Sequence, residues 1–303
     1  MPKTPSPNRA SAGQRLSKLE RVGRLRISAI GFLNPAPLLY DFEHSAKREA
    51  LAERYDIHYT LPSNCAHELA EGEADLGLIP IAALATIPDL LIVPGCTIAS
   101  LRRVRSIQIV SRVPLDQIRT LAADTSSRSS VAYAKVLFRH FLGTDPEFRP
   151  HAPLVDTMLE HADAALLIGD PALIASESHP VIEMRAGQRL HWYDVAEEWT
   201  TRTGLPWVAA IWALRAEALA QTNAALLIDD LNSSRDAGLA HIEDLVTHWK
   251  KRIAVSPQII RTYLTENIHY VLDERCIAAM KLFFDLAAAT EAIPRAPELR
   301  FVE

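Results

Sequence analysis

The residues best suited to chemistry lie in "DTSSRSSVAYAKVLFRHFLG", Asp124 to Gly143. Thr125, Ser126, Ser127, Ser129 and Ser130 crowd five hydroxyls into six residues, interrupted by Arg128. Val131, Ala134, Phe138 and Phe141 then recur at helical spacing, and Gly143 fits the position just past a helix end. Hydroxyls, the free N–H groups of a first turn and the positive end of the helix dipole all favour an anion, so the segment predicts a site for a carboxylate or phosphate. The competing explanation is N-capping in a Ser-rich turn, for which one hydroxyl suffices.

Three further stretches carry candidate groups. In "GFLNPAPLL", Asn34 stands between Leu33 and Pro35 at the end of an expected strand; it either aims its amide into a cleft or opens a turn before proline. "ASLRRVRSIQIV" gathers Ser100, Arg102, Arg103, Arg105 and Ser106; arginine matches carboxylates bidentately, but a solvated charge run has the same composition. In "LLIGDPAL", Gly169 permits close backbone approach, and Asp170 could orient a hydroxyl or cap the next helix. The eleven histidines are scattered without H-E-x-x-H, and no P-loop, G-x-S-x-G or G-x-G-x-x-G occurs, so neither a metal nor a nucleotide cofactor is signalled. Trp199, Trp207 and Trp212 read as core or lobe-contact packing.

The elements that must position these groups alternate. "RLRISAIGFL", "YDIHYTLPSN", "ADLGLIPIAAL", "RSIQIVSR", "TLAADTSS", "HADAALLIGDPAL" and "LPWVAAIWALR" read as strands, with helices between several of them. From about Ala216 the pattern is mostly helical, and "SPQIIRTYL" offers Ser256 as N-cap with Pro257 at the first helical position. The class is α/β, with largely parallel sheets expected. Two stretches echo each other, "LAEGEADLGLIPIAAL" and "MLEHADAALLIGDPAL", each running from a helix end through a buried strand into a loop. The echo predicts two similar lobes, the second inserted into the first: residues 25–110 with 208–303, and 111–207. Ligands of such sheets lie outside the carboxyl ends of the strands, here the interlobe cleft.

Composition sets the outer limits. The chain has 303 residues, 49% hydrophobic and 23% charged, with a net charge of -5. That size supports two cored lobes, and no basic surplus points to nucleic acid. Cys65, Cys96 and Cys276 are far apart, which suits a reducing compartment rather than a disulfide framework. Residues 1–24 are polar and basic and read as a disordered extension without a secretory core. No apolar run approaches the roughly 18 residues of a membrane span. A cytoplasmic protein acting on a small molecule is expected; no feature encodes an oligomeric state.

Taken in order, "GFLNPAPLL", "LAEGEADLGLIPIAAL", "CTIASLRRVRSIQIVS", "ADTSSRSSVAYAKVL", "ADAALLIGDPAL" and "YDVAEEWTTRTGLPWVAAIWA" resemble the menaquinone-biosynthesis enzymes of the futalosine route, and most closely their chorismate-dehydrating branch. The resemblance spans about Leu25 to Leu214 and the C-terminal helices loosely. It implies a two-lobed fold of the type II periplasmic-binding-protein kind, with two interlobe crossings and a helical C-terminal part. It also implies loss of water from chorismate, a dicarboxylate, to give 3-[(1-carboxyvinyl)oxy]benzoate. Asn34 falls at the family's Y-L-N position, with Phe32 where tyrosine is usual. Ser106 matches the serine of a V-x-S stretch, and Thr125 to Ser130 match the hydroxyl-rich helix start. "SLRRVRS" departs from the family, which usually has a small residue and glycine before the valine.

Those residues suit the implied chemistry. Two carboxylates require two sets of donors, and an elimination that makes a ring aromatic runs downhill, so orientation matters more than a strong base. Asn34 and Ser106 are the expected catalytic residues, and the hydroxyl cluster with Gly169 and Asp170 the expected substrate contacts. The substrate's own enolpyruvyl carboxylate would take the proton. Two rivals remain: a solute-binding protein of the same fold, and the sibling enzyme that forms a dihydroxynaphthoate. The sibling typically carries a Cys-Pro-Asn-type first loop where this chain reads "GFLNPAP".

Overall fold

A computed structural model of the chain describes residues 23–303. The expected disordered extension falls, except for Gly23 and Arg24, outside the described residues. The chain begins with β1 (Leu25–Ile30), the short helices α1 (Tyr40–Glu43) and α2 (Arg48–Arg54), β2 (Tyr55–Thr60), α3 (Pro62–Ala70) and β3 (Leu76–Pro80). A 3₁₀ turn leads to the long β4 (Leu90–Ser100).

The chain then enters a second sheet through β5 (Ile107–Ser111) and β6 (Thr120–Asp124). There follow α4 (Ser129–Val136), β7 (Glu147–His151), α5 (Val155–His161), β8 (Ala164–Ile168), α6 (Gly169–Glu177), α7 (His179–Ala186), β9 (His191–Asp194) and α8 (Val195–Thr203). It returns through β10 (Trp207–Arg215) and finishes with α9 (Ala224–Ala240), α10 (Ile242–Trp249), α11 (Pro257–Thr262), β11 (His269–Leu272) and α12 (Glu274–Ala289). The two passages between sheets are therefore residues 101–106 and 195–206.

The sheet orders are β11-β4-β10-β3-β1-β2 and β7-β6-β8-β5-β9. Each contains a three-strand parallel unit, β2-β1-β3 or β7-β6-β8, flanked on the third strand by an antiparallel neighbour. The two echoing sequence stretches become β3 and β8 with their adjoining helices, the same position in each unit.

The sheets are not largely parallel, however. β10 runs antiparallel to β3 and β4, β11 to β4, and β5 to β8 and β9. Parallel pairing requires a crossover within one sheet, whereas β4 and β10 leave and re-enter it from the other lobe and so lie side by side in opposite directions.

Four strands carried no readable sequence signal. β4 contains Pro94-Gly95, which locally reads as a turn. The sheet absorbs that pair with register shifts against β10 and a positive φ at Gly95. β7, β9 and β11 are sheet edges with mixed exposure, so none has a continuous apolar run.

The major hydrophobic core is continuous across both sheets. Tyr133 of α4 lies at its centre, stacked on Phe283 of α12 at 4.0 Å and edge-on to Trp199 of α8 at 5.0 Å. Its hydroxyl donates to the carbonyl of Val208 on β10. Trp199, Trp207 and Trp212 are thus all buried packing residues, as their composition suggested. Cys65, Cys96 and Cys276 are buried free thiols, and burial pushes each up to about 12.

Candidate active site

The cleft between the sheets narrows to a cavity of about 40 Å³, well below the roughly 300–1,000 Å³ that small-molecule pockets occupy, so the lobes must part to admit a ligand. Its walls come from the carboxyl ends of β1, β3 and β8, the loop after β6, the start of β5 and the middle of β10. This is where open α/β sheets hold ligands, because helix starts and loop amides converge there. Among the described residues, no acidic side chain lines it.

Five of the residues singled out by sequence meet in that cavity: Asn34, Ser127, Ser129, Ser130 and Gly169. Asn34 reaches it because β1 ends at Ile30 and the Leu33–Pro35 turn folds the amide inward. Its Oδ1 is buried and has no hydrogen-bond partner among the described residues. A buried, unsatisfied amide oxygen costs about 1–3 kcal/mol, so this one awaits a donor. Opposite it stands the start of α4. No side chain caps that helix, since its N-cap position is Arg128, which has no acceptor. The serine-rich turn is therefore not consumed by capping, and the first-turn N–H groups stay available to an anion.

The hydroxyls divide by what already holds them. Ser129 is buried and its Oγ accepts the N–H of Ala82 at 3.1 Å, a bond that spans the cleft. Ser126 does not line the cavity: both its N–H and its hydroxyl donate to Asp124 Oδ1, at 2.9 and 2.7 Å. Thr125 is exposed, and its N–H is bonded to the His151 carbonyl. The cavity thus receives Ser127, Ser129 and Ser130 from the cluster and, with them, Arg128. Arg128 is exposed and has no ion-pair partner among the described residues. The signal for it was visible, as the lone cation within the hydroxyl run.

Gly169 meets a steric demand. Its φ is +60°, and a Cβ there would lie 2.5 Å from the ring of Phe32. The Phe32 ring and the Gly169 backbone thus close the cavity from opposite lobes. Asp170 stands just behind that contact and does not line the cavity. Its Oδ1 accepts the N–H of Leu33 at 2.9 Å, a second bond across the cleft. Burial raises the Asp170 carboxyl to about 6, against the opposing pull of the Leu33 N–H and the Arg252 charge.

Ser106 also lies outside the cavity wall, next to its neighbour Ile107. It is buried, and its Oγ accepts a hydrogen bond from Tyr263 at 2.7 Å. Nothing in the sequence around Tyr263 announced that link, because α11 and the crossing meet only in the folded chain.

The arginines of the crossing have local duties. Arg105 adopts φ +64° and pairs with Glu177 at 3.3 Å. Arg103 lies 3.8 Å from Asp194 and its carbonyl accepts from Asn267. The Arg102 carbonyl accepts from Thr200. The knot at their centre is Asp194, the buried N-cap of α8, which receives N–H groups from Ala196, Glu197, Val104 and Arg105 and the Gln108 amide. Asp194 binds both interlobe passages together, a role not singled out in the sequence, because its donors meet it only in the folded chain.

A family model described as menaquinone biosynthesis matches residues 25–289, which takes in both sheets, both passages and every wall of the cavity. The chain belongs to the menaquinone-biosynthesis family. Among its relatives is a Thermus thermophilus protein named chorismate dehydratase, 28% identical over 254 residues that cover 81% of this chain and 90% of the relative.

Solved structures fill in the architecture around that family. The chain is similar to an Archaeoglobus fulgidus protein at a TM-score of 0.67 and 13% identity, covering 89% of this chain and 98% of that one. A Candida albicans gene product described as having the generic periplasmic binding protein fold aligns at 0.65 and 12%, covering 92% and 97%. The periplasmic aliphatic sulphonate binding protein of Escherichia coli aligns at 0.61 and 12%, covering 92% and 94%. This member of the menaquinone-biosynthesis family thus has a periplasmic-binding-protein-like fold. No helix among its described residues is long and apolar enough to cross a membrane.

Proposed function

We propose that the protein is a cytoplasmic chorismate dehydratase, a hydro-lyase that converts chorismate to 3-[(1-carboxyvinyl)oxy]benzoate and water. The observation that carries the reading is the pairing, in one interlobe cavity, of the Asn34 amide oxygen, unpartnered among the described residues, with an uncapped helix start bearing Ser127, Arg128, Ser129 and Ser130. The family and the named relative supply the substrate class. We take residues 25–100 with 207–303 as one lobe and 107–194 as the other, with the substrate between them; the boundary expected after residue 110 moves ahead of β5, because Ile107–Ser111 pairs within the second sheet.

In this reading Arg128 and the first turn of α4 hold one carboxylate of the substrate, the guanidinium supplying a planar pair of donors. Asn34 orients the enolpyruvyl carboxylate or the leaving hydroxyl. That carboxylate takes the C3 proton, the C3–H electrons form the new ring double bond, and the C4–O bond breaks. The hydroxide leaves as water with a proton returned from the carboxylate. The absence of acidic side chains from the described cavity wall agrees with a base supplied by the substrate. Asp170, Ser106 and Ser126 support the site from behind: Asp170 fixes the Asn34 turn through Leu33, Ser106 anchors the crossing on Tyr263, and Ser126 shapes the loop through Asp124. Thr125 has the weakest claim of the cluster, because it faces solvent.

The test is to incubate purified protein with chorismate, alongside an enzyme-free control, and to follow products by liquid chromatography and mass spectrometry. Enzyme-dependent appearance of the enolpyruvyl benzoate is expected. Chorismate recovered unchanged but bound would favour the second reading, a solute-binding protein, which the likeness to sulphonate-binding folds keeps in view.

A further inference from the structure

Away from the cavity, α1 and α10 bring together three side chains that the sequence keeps far apart. Glu43 ends α1, His44 follows it, and His248 lies in the last turn of α10. Their ligand-type atoms all lie within 4.8 Å of one another. Glu43 Oε2 is 3.2 Å from His44 Nε2, with neither side chain more than 25% exposed. The His44 and His248 rings meet edge-on with centroids 4.9 Å apart. An ion pair alone would explain Glu43 and His44, but it gives no reason for a second imidazole against the first.

The surrounding groups orient the three. Tyr40 packs on the His44 ring at 5.4 Å, and burial together with the charge of Glu43 raises the Tyr59 hydroxyl pKa above its usual value, which places Tyr59 beside the carboxylate. Arg252 lies 2.9 Å from His248 Nε2. A guanidinium only donates, so the nitrogen it touches carries a lone pair, the form in which imidazole binds a metal. Arg252 is exposed and can swing away. Two imidazoles and one carboxylate with a side open to solvent form a donor set that zinc accepts, and hydrogen-bonded outer groups of this kind hold such ligands in place.

We propose that Glu43, His44 and His248 form a binding site for a divalent transition metal, Zn²⁺ matching the donor set best. The ion ties the end of α1 to α10. The site shares no residue with the cavity and does not depend on the reaction assigned there.

The test uses the full, tag-free chain, stripped with a chelator and titrated with zinc sulfate by calorimetry, with thermal unfolding read in parallel. The wild type is expected to bind one Zn²⁺ per chain and to melt at a higher temperature with the ion than without it. His248→Ala and Glu43→Gln each weaken binding at least tenfold and remove the zinc-dependent rise in Tm. Arg252→Ala binds at least as tightly as the wild type, because a competing donor has gone. His58→Ala, which alters the separate His58–Glu68 pair, leaves the titration unchanged. No binding by the wild type, binding retained in both His248→Ala and Glu43→Gln, or weaker binding in Arg252→Ala would each overturn the proposal.

Discussion

Asn34 is a single amide whose context decides its value. Its buried oxygen has no donor among the described residues, so a group entering the cavity can complete its bond. Asn34→Ala is expected to lower kcat by about 10²–10³, the usual loss for one preorganised polar group, while leaving the melting temperature close to wild type. Turnover at the wild-type rate with only weaker binding would remove Asn34 from the chemistry. Gly169 is constrained from two sides, by a left-handed φ and by the Phe32 ring. Gly169→Ala should therefore cost activity and about 1–3 kcal/mol of stability, measured by denaturant unfolding.

Asp170 makes a pH-dependent prediction. Its folded pKa of about 6 lies above the ordinary 3.8. A carboxyl raised in this way contributes fully below its unfolded pKa and loses that contribution as the pH climbs through about 6. Asp170→Asn keeps an acceptor for the Leu33 N–H and removes the buried charge. The stability of Asp170→Asn relative to wild type should accordingly grow by about 2 kcal/mol between pH 4 and pH 7. A difference that stays flat across that range, in thermal scans at matched ionic strength, would show that Asp170 is not enclosed as described.

At the scale of elements, the proposed reading rests on the start of α4 and the two interlobe passages. The α4 segment was legible: its hydroxyls, its apolar spacing and its closing Gly143, which sits at φ +65° after a π-helical turn Leu137–Leu142, all follow from local pattern. Which hydroxyls face the cavity was not legible, because that depends on Asp124 capturing Ser126 and on Ala82 reaching Ser129 from the other sheet. Arg128→Ala is expected to raise KM for chorismate by at least about tenfold with a smaller effect on kcat, and lysine in its place to restore only part, since a point charge lacks the bidentate fork.

Ser256 capping α11 and Pro257 at its first position appear as the sequence suggested, because caps are local. Asp194 was not singled out in the sequence. Its five donors, four from the two passages and the Gln108 amide of β5, converge through the folded chain, and Asp194→Ala should cost about 3 kcal/mol or more in equilibrium unfolding, beyond the roughly 1 kcal/mol of a lost N-cap.

At the scale of the whole molecule, the cavity is closed by bonds and contacts that cross the cleft: Ala82 to Ser129, Leu33 to Asp170, and Phe32 against Gly169. A substrate that fills such a space must enter while these are parted and then be covered by them. A bound aromatic dicarboxylate should therefore stabilise the closed form. At a concentration of about one hundred times Kd it should add about 2.7 kcal/mol, read as a rise in Tm that Asn34→Ala and Arg128→Ala diminish.

The sequence by itself determined the alternating α/β pattern, the two echoing units and the hydroxyl-rich start of α4 with its Arg128, because each is written in short-range periodicity and in residue types a few positions apart. The tertiary structure alone decided that β4 and β10 run antiparallel, that the edge strands β7, β9 and β11 form at all, and that Ser106 belongs to Tyr263 rather than to the cavity. It alone also set His248 against Glu43 and His44. Those outcomes depend on which distant segments pack together, and a pairing between groups from separate elements leaves no periodic trace along the chain.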